Sequence, residues 1–342
     1  MKALVVRLSS IGDVVHTLPA LAALAGKGWQ AGWIVEPPAR PLLEAHPLLA
    51  QLVIAPPARG FDLSSARQAV GELRGGDYDV ALDFQGLWKS AGWARLSGAR
   101  RTIGFARAWR REGASAMLVG DSVSVPPQVK HVIDKNLALL LPLGIDALGL
   151  REFPLPPTNA AAERVDRELE SLGLGSYVIL NPGGGWASKL WPPERFGAVA
   201  LALRERGLAS IVSWGPGEEA LADRVVAAAQ GGAVRSFPTS LLEFAELARR
   251  ARLVVAGDTG PLHLACALGT PVVGLYGPTD PARNGPFSPA DRVVRRVPSC
   301  APCHRRRCPT HDGIMDTITL ADVMEAIDQR LGLAAGGRRG GG

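Results

Sequence analysis

The chain has 342 residues, of which 47% are hydrophobic and 20% charged, a composition that excludes a disordered or fibrous protein. Its length predicts two domains of about 150 residues each, because a single hydrophobic core rarely grows large enough to serve the whole chain. The net charge of +6 favours acidic partners such as phosphates, nucleic acid or an anionic membrane surface, although a basic solvated surface accounts for it equally well.

The beginning of the chain predicts a cytoplasmic protein. Residues 3–7 form an apolar, strand-like run, and no hydrophobic leader with a small-residue cleavage site precedes them. No apolar run reaches the roughly 20 residues that a membrane-spanning helix needs. We therefore expect neither export nor a transmembrane anchor.

Short apolar runs alternate with amphipathic stretches in the first half of the chain, a pattern typical of βαβ units and a parallel sheet. Strands are predicted at residues 3–8, 32–35, 52–55, 80–83 and 102–105. Helices are predicted at residues 14–24, 65–73, 87–96 and 132–141. The proline-rich residues 151–158 can neither continue a helix nor lie in a central strand, so they are interpreted as a linker.

The second half restarts the same alternation and predicts a second Rossmann-like domain. Its strands are expected at residues 177–180, 210–214, 253–256 and 272–276, with helices between them. Residues 319–331 predict a closing helix that residues 317–319 can cap. We therefore expect domains at residues 1–157 and 158–332, followed by a flexible glycine-rich tail at residues 333–342.

The turn after the first predicted strand contains Ser10, Gly12 and Asp13 and leads into a helix. Open α/β folds place their ligands at this edge of the sheet. The glycine spacing fits neither a dinucleotide-binding motif nor a phosphate-binding Walker loop. Asp13 is a candidate functional carboxylate, with a plain helix N-cap as the alternative.

Two segments of the second half carry the features of a diphosphate site. Residues 181–189 place three glycines before Lys189, so that backbone amides and a point charge can meet one anion. Residues 257–263 place Asp258, Thr259, Gly260 and His263 at a helix N-terminus. A mobile connector or ordinary capping explains each segment taken alone. Together they crowd one sheet edge.

These motifs, taken together, resemble glycosyltransferase family 9 from residue 1 to about residue 330. The resemblance is carried by five segments, at residues 9–19, 83–91, 189–192, 258–263 and 276–281. The run Gln85-Gly-Leu-Trp-Lys89-Ser is similar to heptosyltransferase I more than to heptosyltransferase II. The resemblance implies an α/β GT-B fold, in which two Rossmann-like domains with parallel sheets face a central cleft.

The activity that the resemblance implies is a metal-independent, inverting transfer of heptose from ADP-heptose to the Kdo–lipid A inner core in lipopolysaccharide biosynthesis. Asp13 then corresponds to the general base, which takes the proton of the attacking acceptor hydroxyl. The implied donor-binding residues are Lys189, Glu219, Asp258, Thr259, Gly260 and His263. Glu219 is matched to the nucleotide ribose, although its neighbour Glu218 leaves that register open.

The implied acceptor site lies in the first domain and binds a phosphorylated lipid A–Kdo molecule. Its candidate residues are Ser10, Gly12, Gln85, Lys89, Arg107 and Arg110. Three further arginines, Arg100, Arg101 and Arg111, add positive charge to this region, although charges scattered over a helix and a loop are the alternative. Such charge predicts peripheral contact with the cytoplasmic face of the inner membrane. The basic residues are not interleaved with stacking aromatics, so no nucleic-acid partner is expected.

The cysteines depart from the pattern of heptosyltransferase I. Cys300, Cys303, Cys308 and His311 have the spacing of four tetrahedral zinc ligands, and any such metal is expected to be structural. Reduced buried thiols and a redox sensor are the alternatives. Cys266 stands apart in a helical pattern and is predicted to be buried. No catalytic metal and no cofactor are expected.

Three other functions stay open on the sequence. They are a different sugar transfer by the same fold, epimerisation of a nucleotide sugar, and nucleotide-sugar binding without catalysis. An epimerase acts on its nucleotide sugar with no acceptor, whereas a binding protein shows affinity without turnover. Asp13 favours turnover, because a binding protein needs no base.

Overall fold

The structure is a computed structural model that describes residues 1–56, 62–296, 301–303, 306–307 and 313–333. The chain divides between Pro156 and Pro157 into two compact units, unit 1 and unit 2. The predicted tail beyond residue 333 and three of the four predicted zinc ligands, Cys300, Cys308 and His311, lie outside the described residues. None of the helices that the structure describes is long and apolar enough to cross a membrane.

Unit 1 is built on a six-stranded parallel sheet with the order β3-β2-β1-β4-β5-β6. Its strands are β1 (Lys2–Val6), β2 (Gln30–Val35), β3 (Leu49–Ile54), β4 (Val80–Asp83), β5 (Arg101–Phe105) and β6 (Asp121–Val123). Its helices are α1 (Ile11–Val15), α2 (Leu18–Gly26), α3 (Leu63–Gly75), α4 (Trp88–Leu96) and α5 (Val132–Ala138). Short 3₁₀ segments lie at Pro37–Leu42, Arg107–Trp109, Gly113–Leu118 and Leu141–Leu143.

Unit 2 repeats this design with a second parallel sheet of six strands, in the order β12-β11-β10-β7-β8-β9. Its strands are β7 (Tyr177–Asn181), β8 (Ala209–Val212), β9 (Ala233–Arg235), β10 (Leu253–Gly257), β11 (Val272–Leu275) and β12 (Arg292–Val294). Its helices are α6 (Asn159–Ser171), α7 (Pro193–Glu205), α8 (Glu219–Ala228), α9 (Leu241–Arg250), α10 (Gly260–Ala267), α11 (Pro281–Asn284) and α12 (Leu320–Leu331). Short 3₁₀ segments lie at Ala187–Lys189 and Ile314–Thr317.

The central strands are buried on both faces, as the continuous apolar runs predict for parallel sheets covered by helices. In β1, the residues from Ala3 to Val6 are all fully buried, and so are those of β7 from Val178 to Leu180. The two-sheet α/β prediction is therefore confirmed. Residues 151–158 contain no helix or strand.

Each sheet reverses its strand order next to its first strand, and this reversal positions the candidate residues. In unit 1, β1 lies between β2 and β4, and Val6 is paired with Asp83. In unit 2, β7 lies between β8 and β10, and Asn181 is paired with Ala256. Loops that leave the carboxyl ends of two such neighbouring strands diverge and form a crevice, where open α/β folds bind ligands.

The helix predicted at residues 14–24 is interrupted. It consists of α1 and α2, separated at His16 and Thr17. Pro19 lies in the first turn of α2 and has no amide hydrogen to donate to a preceding carbonyl, so α1 cannot continue through it. The amide nitrogen of Asn136 in α5 donates to the carbonyl of His16 at 3.0 Å and to the Thr17 hydroxyl at 3.1 Å. The hydrogen bonds from Asn136, which lies far away in the sequence, therefore stabilise the interruption between α1 and α2.

Of the strands that the structure describes, the sequence pattern does not predict three: β6, β9 and β12. Each has three residues, and each lies at an edge of its sheet. Such short segments carry too little hydrophobic periodicity to be recognised. The closing helix is confirmed as α12, where the Thr319 amide donates to the Asp322 carboxylate at 2.9 Å and the Asp322 amide donates to the Thr319 hydroxyl at 3.2 Å.

Candidate functional site

Asp13 is the third residue of α1, and its carboxylate is held on both oxygens. The Ser10 amide and hydroxyl donate to Oδ2 at 3.2 and 2.9 Å, while the Arg7 guanidinium pairs with Oδ1. The Asp13 side chain keeps 35% exposure. Ser10 is the N-cap of α1, so Asp13 is not a plain N-cap but one half of a capping box with Ser10. The result is an oriented carboxylate that solvent can reach.

The loop after β4 is tied to the loop that carries Asp13. Asp83 accepts hydrogen bonds from the amides of Gln85 and Gly86, both at 3.1 Å. The side-chain carbonyl of Gln85 accepts a hydrogen bond from the Leu8 amide at 2.9 Å. Gln85 therefore fixes the separation of the two loops on either side of the strand reversal.

Lys89 lies in the first turn of α4 and forms an ion pair with Glu36, the residue that follows β2. Both side chains are half-buried, and the Glu36 amide donates to the carbonyl of Leu8 at 3.0 Å. The pairing brings a third loop to the same sheet edge. Sequence patterns alone did not single out Glu36, although its position directly after an apolar strand was an available signal.

The two arginines predicted for the acceptor site have different surroundings. Arg107 is exposed in its 3₁₀ segment, whereas the Arg110 side chain has no exposed surface and pairs with the equally buried Asp83. Arg110 also donates to the Ser115 hydroxyl at 2.8 Å and to the carbonyl of Phe105 at 3.2 Å. A buried, fully engaged guanidinium cannot receive a ligand, so we leave Arg110 out of the proposed acceptor site.

The neighbourhood of Arg110 explains a glycine in β5. A Cβ atom on Gly104 would lie 2.5 Å from the Arg110 Nη1 atom, so only glycine leaves room for the buried pair. Arg100 and Arg101 lie at the amino end of β5, where they pair with Asp79 at 3.3 Å and Asp121 at 2.9 Å. They are thus at the sheet edge opposite Asp13.

Replacing Arg110 by methionine is expected to lower the free energy of unfolding of unit 1 by about 3–5 kcal/mol, because it leaves a buried carboxylate without its cation. Chemical denaturation followed by circular dichroism measures this loss. Arg107→Met is the matched control and should change stability by no more than about 0.5 kcal/mol. Equal stabilities of the two variants would show that the buried pair contributes nothing to folding.

In unit 2, a glycine loop follows β7 and is fixed by Glu218. The two carboxylate oxygens of Glu218 accept hydrogen bonds from the amides of Gly184 and Gly215, each at 2.9 Å. A Cβ atom on Gly183 would overlap this carboxylate, which explains why the loop needs glycine there. Glu218 therefore joins two loops, whereas its neighbour Glu219 is exposed as the first residue of α8.

The candidate donor residues converge on the buried carboxylate of Asp258. Its Oδ2 atom lies 2.6 Å from the Lys189 ammonium, and its Oδ1 atom lies 3.0 Å from His263 Nε2 and 2.7 Å from Asn284 Nδ2. Lys189 also donates to the Asp258 carbonyl at 3.0 Å and lies 4.5 Å from the centre of the Trp186 ring. The structure thus brings three predicted residues together and adds Asn284 and Trp186.

The electrostatics of this cluster favour an ionised Asp258. Burial by itself raises the pKa of this carboxyl group, but the hydrogen bonds and charges of His263 and Lys189 outweigh burial and hold the pKa well below its usual range. The Lys189 side chain retains 15% exposure, against 2% for Asp258. Asp258 therefore holds the Lys189 ammonium, while part of the Lys189 side chain remains exposed.

Thr259 and Gly260 occupy the start of α10, directly after Asp258. Thr259 is the N-cap residue, Gly260 opens the helix, and both are half-buried. The first amides of a helix have no acceptor within that helix and are available to an anion. Lys189 and these amides therefore border the same crevice of unit 2.

The structure describes only two of the four cysteines, Cys266 and Cys303, so it tests the cysteine predictions only for these two. Cys303 is half-buried, and no group of three or more His, Cys, Asp or Glu side chains suited to a metal occurs within the described ranges. Cys266 is buried in α10, as predicted, and burial raises the pKa of its thiol. The zinc prediction for Cys300, Cys308 and His311 falls on residues outside the described ranges.

A family model of glycosyltransferase family 9 (heptosyltransferase) matches residues 67–313 of the chain. The chain is 32% identical to the lipopolysaccharide heptosyltransferase 1 of Pseudomonas aeruginosa over 323 residues. That alignment covers 90% of this chain and 87% of the relative.

Solved structures share the fold over nearly the full length. An Escherichia coli heptosyltransferase solved with ADP superposes with a TM-score of 0.74 at 24% identity and covers 98% of this chain and 99% of its own. The E. coli ADP-heptose lipopolysaccharide heptosyltransferase II superposes with a TM-score of 0.77 at 21% identity, covering 97% and 98%. The expected GT-B fold is therefore confirmed.

Proposed function

The chain belongs to glycosyltransferase family 9, and on that premise we propose that it transfers heptose from ADP-heptose to the Kdo–lipid A inner core of lipopolysaccharide. The observation that carries the proposal is the sequence identity to a lipopolysaccharide heptosyltransferase across nine-tenths of the chain. Two features of the geometry support it. Unit 1 holds an oriented carboxylate that solvent can reach, and unit 2 holds a positively charged site suited to an anion.

The proposed reaction is a single displacement. The Asp13 carboxylate takes the proton of an acceptor hydroxyl while that oxygen forms a bond to the anomeric carbon of heptose. The bond between this carbon and the phosphate oxygen breaks, and ADP leaves with the electron pair. Attack opposite the leaving group inverts the configuration at the anomeric carbon.

Unit 2 is proposed to bind the donor. Lys189 and the amides of Thr259 and Gly260 face the diphosphate and stabilise the negative charge that grows as ADP departs. The Asp258 carboxylate holds Lys189 in place, and His263 holds that carboxylate through its own contact. Glu219 is the proposed ligand of the ribose hydroxyls, because Glu218 is committed to backbone amides.

Unit 1 is proposed to bind the acceptor through Ser10, Gly12, Gln85, Lys89 and Arg107. Exposed Arg107 and Arg111 supply a positive surface that attracts the phosphates and carboxylates of lipid A–Kdo. The scheme uses no cofactor. It also needs no metal ion, because Asp13 supplies the base and Lys189 with the helix amides supplies the compensating charge.

The test combines purified protein, ADP-heptose and Kdo–lipid A, with mass spectrometry of the lipid and measurement of released ADP. We expect one heptose added per ADP released, at the same rate in EDTA. Conversion of the nucleotide sugar without acceptor would identify an epimerase, and ADP-heptose affinity without turnover would identify a binding protein. Transfer from another sugar nucleotide alone would overturn the heptose assignment. Loss of activity in EDTA would overturn metal independence.

Because the proposed acceptor is a lipid, we also propose that unit 1 contacts the cytoplasmic face of the inner membrane at its periphery. Trp88 is 44% exposed and Met117 76% exposed. The elements that carry them are linked, because the Trp88 amide donates to the Glu112 carboxylate at 2.7 Å. Exposed Arg107 and Arg111 lie between these two apolar residues in sequence and suit an anionic bilayer.

The double variant Trp88→Ser/Met117→Ser is expected to bind vesicles of mixed anionic and zwitterionic lipids about tenfold more weakly, a loss of about 1.4 kcal/mol. This loss corresponds to partial burial of the two side chains at the bilayer surface, since full burial of one apolar side chain contributes about 1.5–3 kcal/mol. Co-sedimentation measures the binding, and transfer to detergent-solubilised acceptor should stay unchanged. Val293→Ser, at an exposed apolar residue of unit 2, is the control. Unchanged vesicle binding by the double variant would exclude this surface.

A further inference from the structure

Arg7 is a buried cation that the proposed reaction does not yet use. It follows β1 directly and is only 6% exposed. Its Nη1 atom donates to the carbonyl of Phe84, and its Nη2 atom pairs with Oδ1 of Asp13. One guanidinium thus joins the backbone after β4 to the proposed catalytic base.

Three neighbouring strands fix the position of Arg7. The indole nitrogen of Trp33 in β2 donates to the Arg7 carbonyl at 3.0 Å. The Phe84 amide donates to the carbonyl of Val6 at 3.2 Å, which places the loop after β4 directly beside Arg7. Trp33 is fully buried, so the residue that holds the Arg7 backbone belongs to the core of unit 1.

Asp13 itself lies on a short helix of five residues, which cannot hold a side chain rigidly by its own hydrogen bonds. Ser10 holds one carboxylate oxygen, and Arg7 holds the other. Rotation of the carboxylate would break at least one of these contacts. The rigidity of the sheet is therefore transmitted to Asp13 through Arg7.

We propose that Arg7 is a positioning residue that holds the Asp13 carboxylate in the orientation needed for proton transfer. This inference rests on the proposed function of Asp13. An arginine suits the role, since its planar fork reaches two acceptors in fixed directions, whereas the single ammonium of lysine cannot reproduce that geometry. A misplacement of about 1 Å in a reacting group is enough to cost a rate factor on the order of 10².

The kinetic test uses Arg7→Met and Arg7→Lys at saturating acceptor, with the concentration of ADP-heptose varied. Arg7→Met should lower kcat about 10–100-fold, while the KM for ADP-heptose and the Kd for ADP stay unchanged. Arg7→Lys should recover part of the loss, because it restores a charge near Asp13. A kcat equal to that of the wild type in Arg7→Met would overturn the proposal, as would a donor KM that rises by the same factor as kcat falls.

A double-mutant cycle distinguishes a positioning role of Arg7 from a general structural role, because the kcat losses of two residues that act together are not additive. If Arg7 acts through Asp13, the double variant Arg7→Met/Asp13→Asn should be no slower than Asp13→Asn alone. Arg101→Met is the control, because Arg101 pairs with Asp121 at the opposite edge of the same sheet, and its replacement should combine additively with Asp13→Asn. Additive losses for Arg7 would show that it acts independently of Asp13.

A crystal structure of Arg7→Met tests the inference without any substrate. We expect the Asp13 carboxylate to leave Ser10 or to occupy more than one conformer. A single conformer that still accepts both Ser10 hydrogen bonds would overturn the proposal. If the wild-type protein transfers no heptose, the proposed function fails, and this structure still decides whether Arg7 orients Asp13.

Discussion

Asp13→Asn is expected to reduce heptose transfer by about 10²–10⁴-fold, the usual contribution of a positioned general base. Asparagine keeps an oxygen that can accept a hydrogen bond from Ser10, so the cap of α1 is retained, but Arg7 loses its anionic partner and the stability of unit 1 should fall modestly. What it loses is the ability to take a proton from the acceptor hydroxyl. The affinity for ADP should also stay unchanged, since the proposed ADP ligands belong to unit 2.

Asp62→Asn is the matched control for this prediction. Asp62 is also a capping carboxylate of unit 1, and it accepts hydrogen bonds from the amides of Ser64 and Ser65 at 3.2 and 2.8 Å. Its replacement removes a negative charge from the amino end of α3 and should lower the melting temperature slightly without affecting transfer. If Asp13→Asn behaves in the same way, with lower melting temperature and full turnover, then Asp13 is a structural cap and not the base.

Lys189→Met is expected to weaken ADP binding by about 10–100-fold, the range that a lost hydrogen bond to a charged group predicts. The effect has two physical sources. The variant removes the cation proposed to face the diphosphate, and it leaves the buried Asp258 carboxylate to repel that diphosphate. Isothermal titration calorimetry with ADP alone measures the combined effect of the two changes on the ADP dissociation constant.

The double variant Lys189→Met/Asp258→Asn separates the two sources. It should regain the part of the ADP affinity that is lost to repulsion and leave the part that Lys189 contributes directly. Lys135→Met serves as the control, because Lys135 is a lysine of unit 1 that lies 4.8 Å from the centre of the Phe105 ring, much as Lys189 faces Trp186. An ADP affinity equal to that of the wild type in Lys189→Met would exclude Lys189 from the donor site.

The motifs at the strand ends could be recognised in the sequence, but the burial and the bonding partners of each charged side chain could not. Arg107 and Arg110 are three residues apart in one basic stretch, and only packing shows that Arg110 is buried against Asp83 while Arg107 is exposed. Glu218 and Glu219 are adjacent, and only the fold shows that Glu218 binds two loop amides. These neighbouring side chains differ in burial and in bonding because Arg110 and Glu218 each bind a group more than 20 residues away, Asp83 and Gly184 respectively.

The alternation of strands and helices could be predicted from the sequence alone, and with it two parallel sheets with polar loops at their carboxyl edges. Hydrophobic periodicity and glycine placement are local properties, so they can be recognised without knowing any long-range contact. Pro19 was a local signal of the break between α1 and α2, which Asn136 also stabilises from elsewhere in the chain. The three edge strands could not be recognised from local properties, because pairing with a neighbouring strand stabilises them.

The groups that support the candidate residues could be identified only in the folded chain. The pairing of Val6 with Asp83 brings Arg7, Phe84 and Asp13 together from separate segments, and Asn284 reaches Asp258 from a later helix. Strand order and register determine these contacts, and neither can be read from local periodicity. The reacting groups therefore lie in recognisable motifs, whereas the residues that orient them depend on how the strands assemble.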